Sequence, residues 1–278
     1  SAGLELLRAA KAQGLRTIME QTIAPRRIEH QLLREEQLEF SDWEPPLPDD
    51  GFSEPFAERE QTEWQFADVI LCGSEFVREG IAACGGPIAR CTVVPYGVDV
   101  RFSPIERPAH QGPLRVLTVG AVGLRKGSPY VLEAAKQLKG TAEFRMAGSV
   151  QVLPEAQSKL REHLELTGTI PRTEILSHYA WADVFLLPSL CEGSATVVYE
   201  ALATGLPVIC TPNTGSIVRD GVDGFIVPIR DAEAIAERID RLATDASLLA
   251  KMRVVAAESY ERISLERYRT DLIGAIGS

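Results

Sequence analysis

At 278 residues, with 45% apolar and 24% charged side chains, the chain has the length and composition of a folded globular protein of one large unit or two smaller ones, not of a disordered or fibrous one. A formal net charge of −10 excludes broad, sequence-independent binding to nucleic acid, which needs a clustered excess of Lys and Arg. No apolar run reaches the length needed to span a bilayer and the first residues lack the pattern of a signal peptide, so a cytoplasmic protein is expected.

Residues 1–99 predict helices over 3–13, over 28–40 and ending near Phe66, with a further one over 75–83. Strands are predicted over 15–19, 68–72 and 92–95, too few to close a normal sheet. The polar, proline-rich stretch 42–51 reads as a surface loop. Residues 101–112, with Pro104, Pro108 and Gly112, read as an interdomain linker, which places the boundary near Gly112.

From Leu114 onward, strands over 115–119, 142–147, 164–167, 183–187 and 207–210 alternate with helices over 130–138, 173–181 and 195–204. Such alternation predicts a doubly wound α/β domain, a parallel sheet with helices on both faces. After Pro228, Asp231 is placed to cap a helix running through Ile239, a second amphipathic stretch covers 246–257, and a last helix begins near Ser264.

Cys72, Cys84, Cys91, Cys191 and Cys210 are scattered and form no close C-x-x-C pair, so they read as buried thiols. His30, His110, His163 and His178 share no metal-ligand spacing with one another or with the cysteines. Neither a protein-held metal nor a cofactor is expected.

Two constellations carry chemistry. Residues 119–127, V-G-A-V-G-L-R-K-G, join a strand to a helix. Gly120 and Gly123 would let the backbone approach a ligand, the helix N-terminus would attract a phosphate, and Arg125 and Lys126 would supply full charges for a diphosphate. By itself the segment fits equally a tight turn with two solvated cations, and its spacing matches neither G-x-G-x-x-G nor G-x-x-x-x-G-K-[ST]. The second, residues 188–201, follows an apolar strand and so sits where open α/β sheets bind ligands. Glu192 lies at the entry to the next helix, placed for sugar hydroxyls. Glu200 lies two turns on, placed for a ribose diol, and the amides of Ser194, Ala195 and Thr196 would face the intervening phosphate. A carboxylate in the otherwise apolar run 197–203 would be costly without a partner.

Glu192 to Glu200 is E-x7-E, followed by A-L-A-T-G-L-P-V-I at 201–209 and G-V-D-G-F-I-V-P at 221–228. With L-R-K-G at 124–127, S-E-F-V at 74–77 and V-P-Y-G-V-D at 94–99, this run resembles the retaining glycosyltransferases of family 4 (group 1) over nearly the whole chain. The resemblance implies a GT-B fold of two facing Rossmann-like domains. Residues 1–111 would be a partial, acceptor-side N-terminal domain with its linker, 112–262 the nucleotide-sugar-binding domain, and 263–278 a helix crossing back to the first domain.

By the same resemblance Arg125 and Lys126 would neutralise the donor diphosphate and Glu192 would position the transferred sugar, these three being the catalytic candidates. Glu200 would hold the ribose, and Gly168, Thr169 and Ile170 would bind the base. Gly120, Gly123, Gly193, Ser194, Ala195 and Thr196 complete the donor set. The implied reaction is retaining transfer from a UDP- or GDP-linked sugar to a hydroxyl acceptor of unidentified type, whether glycan, lipid-linked or small molecule. The chain departs from the family pattern at Ala121, where many members carry arginine, and in a short loop at 211–216. No counterpart of the family's active-site histidine stands among residues 19–25. Its start also falls part-way through the family's N-terminal domain, so donor binding with poor transfer or none is expected, and any peripheral membrane contact would come from the missing region. The rival is a catalytically inert nucleotide-sugar-binding module or scaffold subunit of a partner transferase. A GT-B epimerase or phosphorylase is disfavoured by the E-x7-E context.

Overall fold

A computed structural model describes residues 3–47, 51–107 and 110–277. In the first unit, α1 (Leu4–Ala12), β1 (Ile18–Gln21), α2 (Arg26–Glu39), α3 (Ser53–Phe66), β2 (Val69–Cys72), α4 (Glu75–Ala83) and β3 (Cys91–Val93) follow in order. The strands make a three-stranded parallel sheet in the order β1-β2-β3. Alternation along β2 sends Ile70 and Cys72 to one face, where they meet Trp64 of α3 and Val77 and Ile81 of α4. It sends Val69 and Leu71 to the other. β1 begins three residues later than predicted. The chain leaves α1 through a turn at Gln13–Gly14, and Thr17 is tied to Asp68 through its amide, 2.8 Å from Oδ2, so pairing starts at Ile18 opposite Val69.

The second unit runs β4 (Leu114–Val119), α5 (Ser128–Gln137), β5 (Ala142–Ala147), α6 (Pro154–Arg161), β6 (Glu165–Gly168), α7 (Ile175–Trp181), β7 (Val184–Leu187), α8 (Thr196–Ala203), β8 (Val208–Cys210) and β9 (Gly224–Ile226), then α9 (Ala232–Thr244) and α10 (Ala246–Ala257). Its six strands are all parallel, in the order β6-β5-β4-β7-β8-β9. The order reverses direction between β4 and β7, and that switch point opens a crevice at the strands' carboxyl ends. Asp231 caps α9 by accepting from the Ala234 amide at 2.8 Å. Two elements carry little sequence signal. α6 buries only Ala156 and Leu160, and β9 starts on Gly224, where a methyl group would lie 2.0 Å from the Val208 carbonyl oxygen, so only glycine lets this strand approach.

Two segments tie the units together. After the short α11 (Tyr260–Ile263), α12 (Leu265–Gly277) lays Ala275, Leu272 and Tyr268 on the free face of the first sheet, against Leu71, Val69 and Ile18. In the other direction the chain leaving α2 is drawn into the second unit. Trp43, read from sequence as part of a surface loop, is 4% exposed inside the second unit's core. Its ring meets Phe40 edge-on at 5.8 Å, and its carbonyl accepts from the Leu153 amide at 2.7 Å. Within α2, Glu36 is buried where it accepts from Tyr130 at 2.9 Å and pairs with Arg230. The boundary near Gly112 is therefore bridged by contacts on both sides.

Candidate active site

The loops following β4 and β7 are joined at the switch point. Gly127 adopts a left-handed φ of +72° beneath Pro188, whose carbonyl oxygen would lie 2.2 Å from any added methyl group. The Leu190 amide donates to the Arg125 carbonyl at 2.9 Å, and Arg125 Nη1 donates to the Cys191 carbonyl at 3.1 Å. Lys126 then runs back across Gly120, with its Cε 3.2 Å from where a glycine replacement would put Cβ. Both cations converge on one carboxylate oxygen: Lys126 Nζ lies 2.5 Å and Arg125 Nη1 3.1 Å from Glu192 Oε1. Burial pulls the Lys126 ammonium below the ordinary lysine range, and the Glu192 charge opposes that pull. The two basic residues and Glu192, 66 and 67 positions apart in sequence, thus form one compact charged centre with a cation to spare.

At two of the expected positions, Gly123 and Ala195, the backbone amide is already engaged. The Gly123 amide donates to Ser128 Oγ at 2.9 Å and the Leu124 amide to Glu44 Oε1 at 2.6 Å, so neither faces a ligand. The glycine at 123 instead makes room for Glu44, whose Oε1 would lie 2.4 Å from an added methyl group. Near the start of α8 the Ala195 amide is taken by the Thr214 carbonyl at 3.3 Å. The Ser194 hydroxyl is turned inward to Tyr199 at 2.6 Å and Gly215 at 3.2 Å, while Thr196 is exposed. The crossing loops thus engage the Gly123, Leu124 and Ala195 amides internally, which takes these three out of any anion site.

Glu200 is 2% exposed, and two side chains absent from the sequence expectation hold it. Tyr179, on α7, donates to Oε2 at 2.8 Å, and Arg172, in the segment between β6 and α7, pairs with Oε1. Gly168 ends β6, and Thr169 and Ile170 open that same segment. Gly168 is left-handed at φ +72°, Thr169 is exposed, and Ile170 is half-buried against the core. Arg172 itself is 59% exposed, with its guanidinium 5.1 Å from the Phe102 ring centre, so it can leave Glu200 to a ligand at little cost. Tyr179→Phe should lower nucleoside affinity severalfold by freeing the Glu200 carboxylate to rotate, with a smaller effect on the affinity for inorganic pyrophosphate. Titration calorimetry with the two ligands checks this, and an equal loss for both would contradict it.

The first unit closes the crevice from the other side. Ser74, after β2, donates to the Gly193 carbonyl, and a methyl group on Gly193 would lie 1.8 Å from the carbonyl oxygen of Thr22, which follows β1. Gly215, after β8, packs on the Ser74 side chain. The carboxyl ends of the two sheets therefore face each other. At the position lacking the family's histidine, Glu20 accepts from Tyr96 at 2.7 Å, and Gln21 is buried in a network with Glu60 (2.8 Å) and Trp64 (3.0 Å).

Among the described residues no group of three or more His, Cys, Asp or Glu side chains could hold a metal ion, and no helix is long and apolar enough to cross a membrane. All five cysteines are unpaired, and burial pushes the thiols of Cys191 and Cys210 up to about 12.

Residues 113–245 match the family described as glycosyl transferases group 1. WcaL of Salmonella typhimurium, named for colanic acid biosynthesis, is 30% identical over 232 residues, which is 75% of this chain and 57% of that one. The GDP-mannose-dependent alpha-(1-6)-phosphatidylinositol monomannoside mannosyltransferase of Mycolicibacterium smegmatis is 31% identical over 216 residues, 68% of this chain and 56% of that one. The chain thus spans just over half the length of these curated relatives. The structure of Anabaena HepE in complex with UDP-glucose superposes with a TM-score of 0.74 at 15% identity, covering 99% of this chain and 76% of HepE. Residues 113–245 therefore form a glycosyl transferases group 1 domain, set in a chain with the two-domain GT-B fold.

Proposed function

We propose that the chain holds a nucleotide-diphosphate sugar in the crevice between its units, as donor for transfer to a hydroxyl acceptor with retention of configuration. The observation that carries this is the convergence of Arg125 and Lys126 on buried Glu192 at the switch point of the six-stranded sheet. Departure of a nucleoside diphosphate places new negative charge on the leaving oxygen. Two fixed cations in a partly desolvated crevice stabilise that charge without reorganising at the moment of reaction. Glu192, held by both, would turn its carboxylate to sugar hydroxyls once the diphosphate takes over the cations. Glu200, oriented by Tyr179, would accept the ribose diol after Arg172 moves aside, and the segment from Gly168 to Ile170 would lie against the base.

Support for retention is the resemblance of the E-x7-E run to family 4. Support for a UDP- or GDP-linked donor is that a relative is named for GDP-mannose and a structural neighbour binds UDP-glucose. Neither comparison favours an inert binding module over a transferase. A thermal-shift panel of nucleotide sugars tests the donor: ligand at about a hundred times its Kd stabilises the native state by about 2.7 kcal/mol, which shifts Tm measurably. A UDP- or GDP-sugar is expected to raise Tm, and a panel in which no nucleotide sugar or nucleoside diphosphate does so would refute the proposal.

A further inference from the structure

The short loop at 211–216, where the sequence departs from the family pattern, contributes nothing to the donor set assigned above, yet the loop that carries Glu192 rests on it. It leaves β8 as a single 3₁₀ turn, Pro212–Thr214, and ends in left-handed Gly215. Three of its polar side chains donate to carbonyls of the loop after β7 or of the end of β7 itself. Thr214 Oγ1 reaches Leu187 at 3.0 Å, Thr211 Oγ1 reaches Ser189 at 2.5 Å and Asn213 Nδ2 reaches Leu190 at 2.8 Å. Asn213 also takes a bond in return, because its carbonyl accepts from the Glu192 amide at 3.0 Å. It therefore grips the two residues that flank Cys191, and one of them is Glu192.

The β4 loop grips the same three residues from the other side. The Leu190 amide donates to the Arg125 carbonyl at 2.9 Å, and Arg125 Nη1 donates to the Cys191 carbonyl at 3.1 Å. The two jaws of this clamp differ in chemistry. Arg125 is a full cation that also pairs with Glu192 at 3.1 Å, and a bound diphosphate competes for it. Asn213 is neutral and half-buried, and it holds on through an amide and a backbone carbonyl that an anion does not displace. When the ion pairs of Glu192 are taken over, the Asn213 jaw is the one that stays. A carboxylate that must meet sugar hydroxyls needs that fixed origin, since small misplacement is costly.

We propose that Asn213 is a positioning residue of the donor site, holding Glu192 in place for the transferred sugar while the diphosphate draws Arg125 and Lys126 away. This role rests on the donor assignment above and adds the residue through which the loop after β8 acts on the sugar rather than on the nucleotide.

The test is calorimetric titration with UDP-glucose and UDP, or with GDP-mannose and GDP, whichever pair binds, read as the ratio of nucleotide-sugar to nucleotide affinity. N213A should lower that ratio about three- to tenfold, the range for one lost hydrogen bond, with nucleotide affinity within about twofold of wild type. In an E192A background the same substitution should leave the ratio unchanged, because the carboxylate it positions is gone. N213D keeps the side chain's shape, but its ionised carboxylate has no proton to give the Leu190 carbonyl. It should lower the ratio as N213A does, and it serves if N213A fails to fold. Equal losses for nucleotide sugar and nucleotide, an unchanged ratio, or a ratio lowered as much in E192A as in the wild-type background would each overturn the role of Asn213 alone. If E192A by itself leaves the ratio unchanged, or if neither pair binds the wild-type chain, the donor assignment falls, and the positioning role with it.

Discussion

Lys126→Ala should weaken nucleoside diphosphate binding by roughly ten- to a hundredfold, the worth of a charge-assisted hydrogen bond in a partly buried site, while leaving the affinity for the free nucleoside nearly unchanged. The split follows from position. Lys126 lies over Gly120 and against Glu192, whereas the residues assigned to ribose and base, Glu200 and the 168–170 segment, lie along α8 and beyond β6. Removing the ammonium also leaves Glu192, 8% exposed, with Arg125 as its one remaining ion-pair partner among the described residues, which raises the local negative charge that a diphosphate must meet. The pH dependence has a definite sign. Burial lowers the Lys126 pKa, so its charge, and with it diphosphate affinity, falls as pH rises through a range below that of an ordinary lysine. Lys126→Arg should remove that fall. Equal losses for diphosphate and nucleoside in Lys126→Ala would show that the lysine acts through folding.

Gly193→Ala should separate the two units. Its added methyl would lie 1.8 Å from the Thr22 carbonyl oxygen, 2.7 Å from the Thr22 carbonyl carbon and 3.0 Å from Ile23 Cα. All three are backbone atoms that cannot turn aside as a side-chain end would, so the crevice must widen or the first unit must shift. Overpacking of this kind costs about 1–3 kcal/mol. Because Gly193 carries no left-handed φ, the cost arises from the contact between units and not from backbone strain. The expected results are a lower unfolding midpoint, a larger radius of gyration by small-angle scattering and weaker nucleotide binding. Gly274→Ala is the control, since nothing lies within 4 Å of its added methyl on α12, and it should be neutral or slightly stabilising. A Gly193→Ala protein with wild-type midpoint and scattering would mean that the units do not meet in solution as they do here.

The parts of this site legible in the sequence are those where one short stretch carries both the fold and the chemistry. Strand–helix alternation located the β4 and β7 loops, and the charges of Arg125, Lys126, Glu192 and Glu200 stood out against glycine and apolar neighbours. The partners of those charges were not legible. Glu44 reaches the Leu124 amide across 80 positions of sequence and Arg172 reaches Glu200 across 28, and no local period encodes either pairing. Trp43 did carry a signal: a tryptophan in a polar, proline-rich stretch has large apolar surface to bury, and it buries it in the neighbouring unit. Gly123 shows the converse. A glycine in a strand-to-helix loop suggests room for a ligand, and here the room is filled by a carboxylate from the other unit. β9 escaped because its first residue is a glycine required by close packing, not a residue that favours strands.

The most direct test of the account is a crystal structure of this chain soaked or co-crystallised with UDP and, separately, GDP. The account predicts that one of them occupies the crevice between the units, with its diphosphate within hydrogen-bond distance of Arg125 and Lys126, its ribose diol on Glu200 and Arg172 displaced from that carboxylate. A nucleotide bound elsewhere, or one seated in the crevice with Lys126 still paired to Glu192 and Arg172 still paired to Glu200, would contradict it.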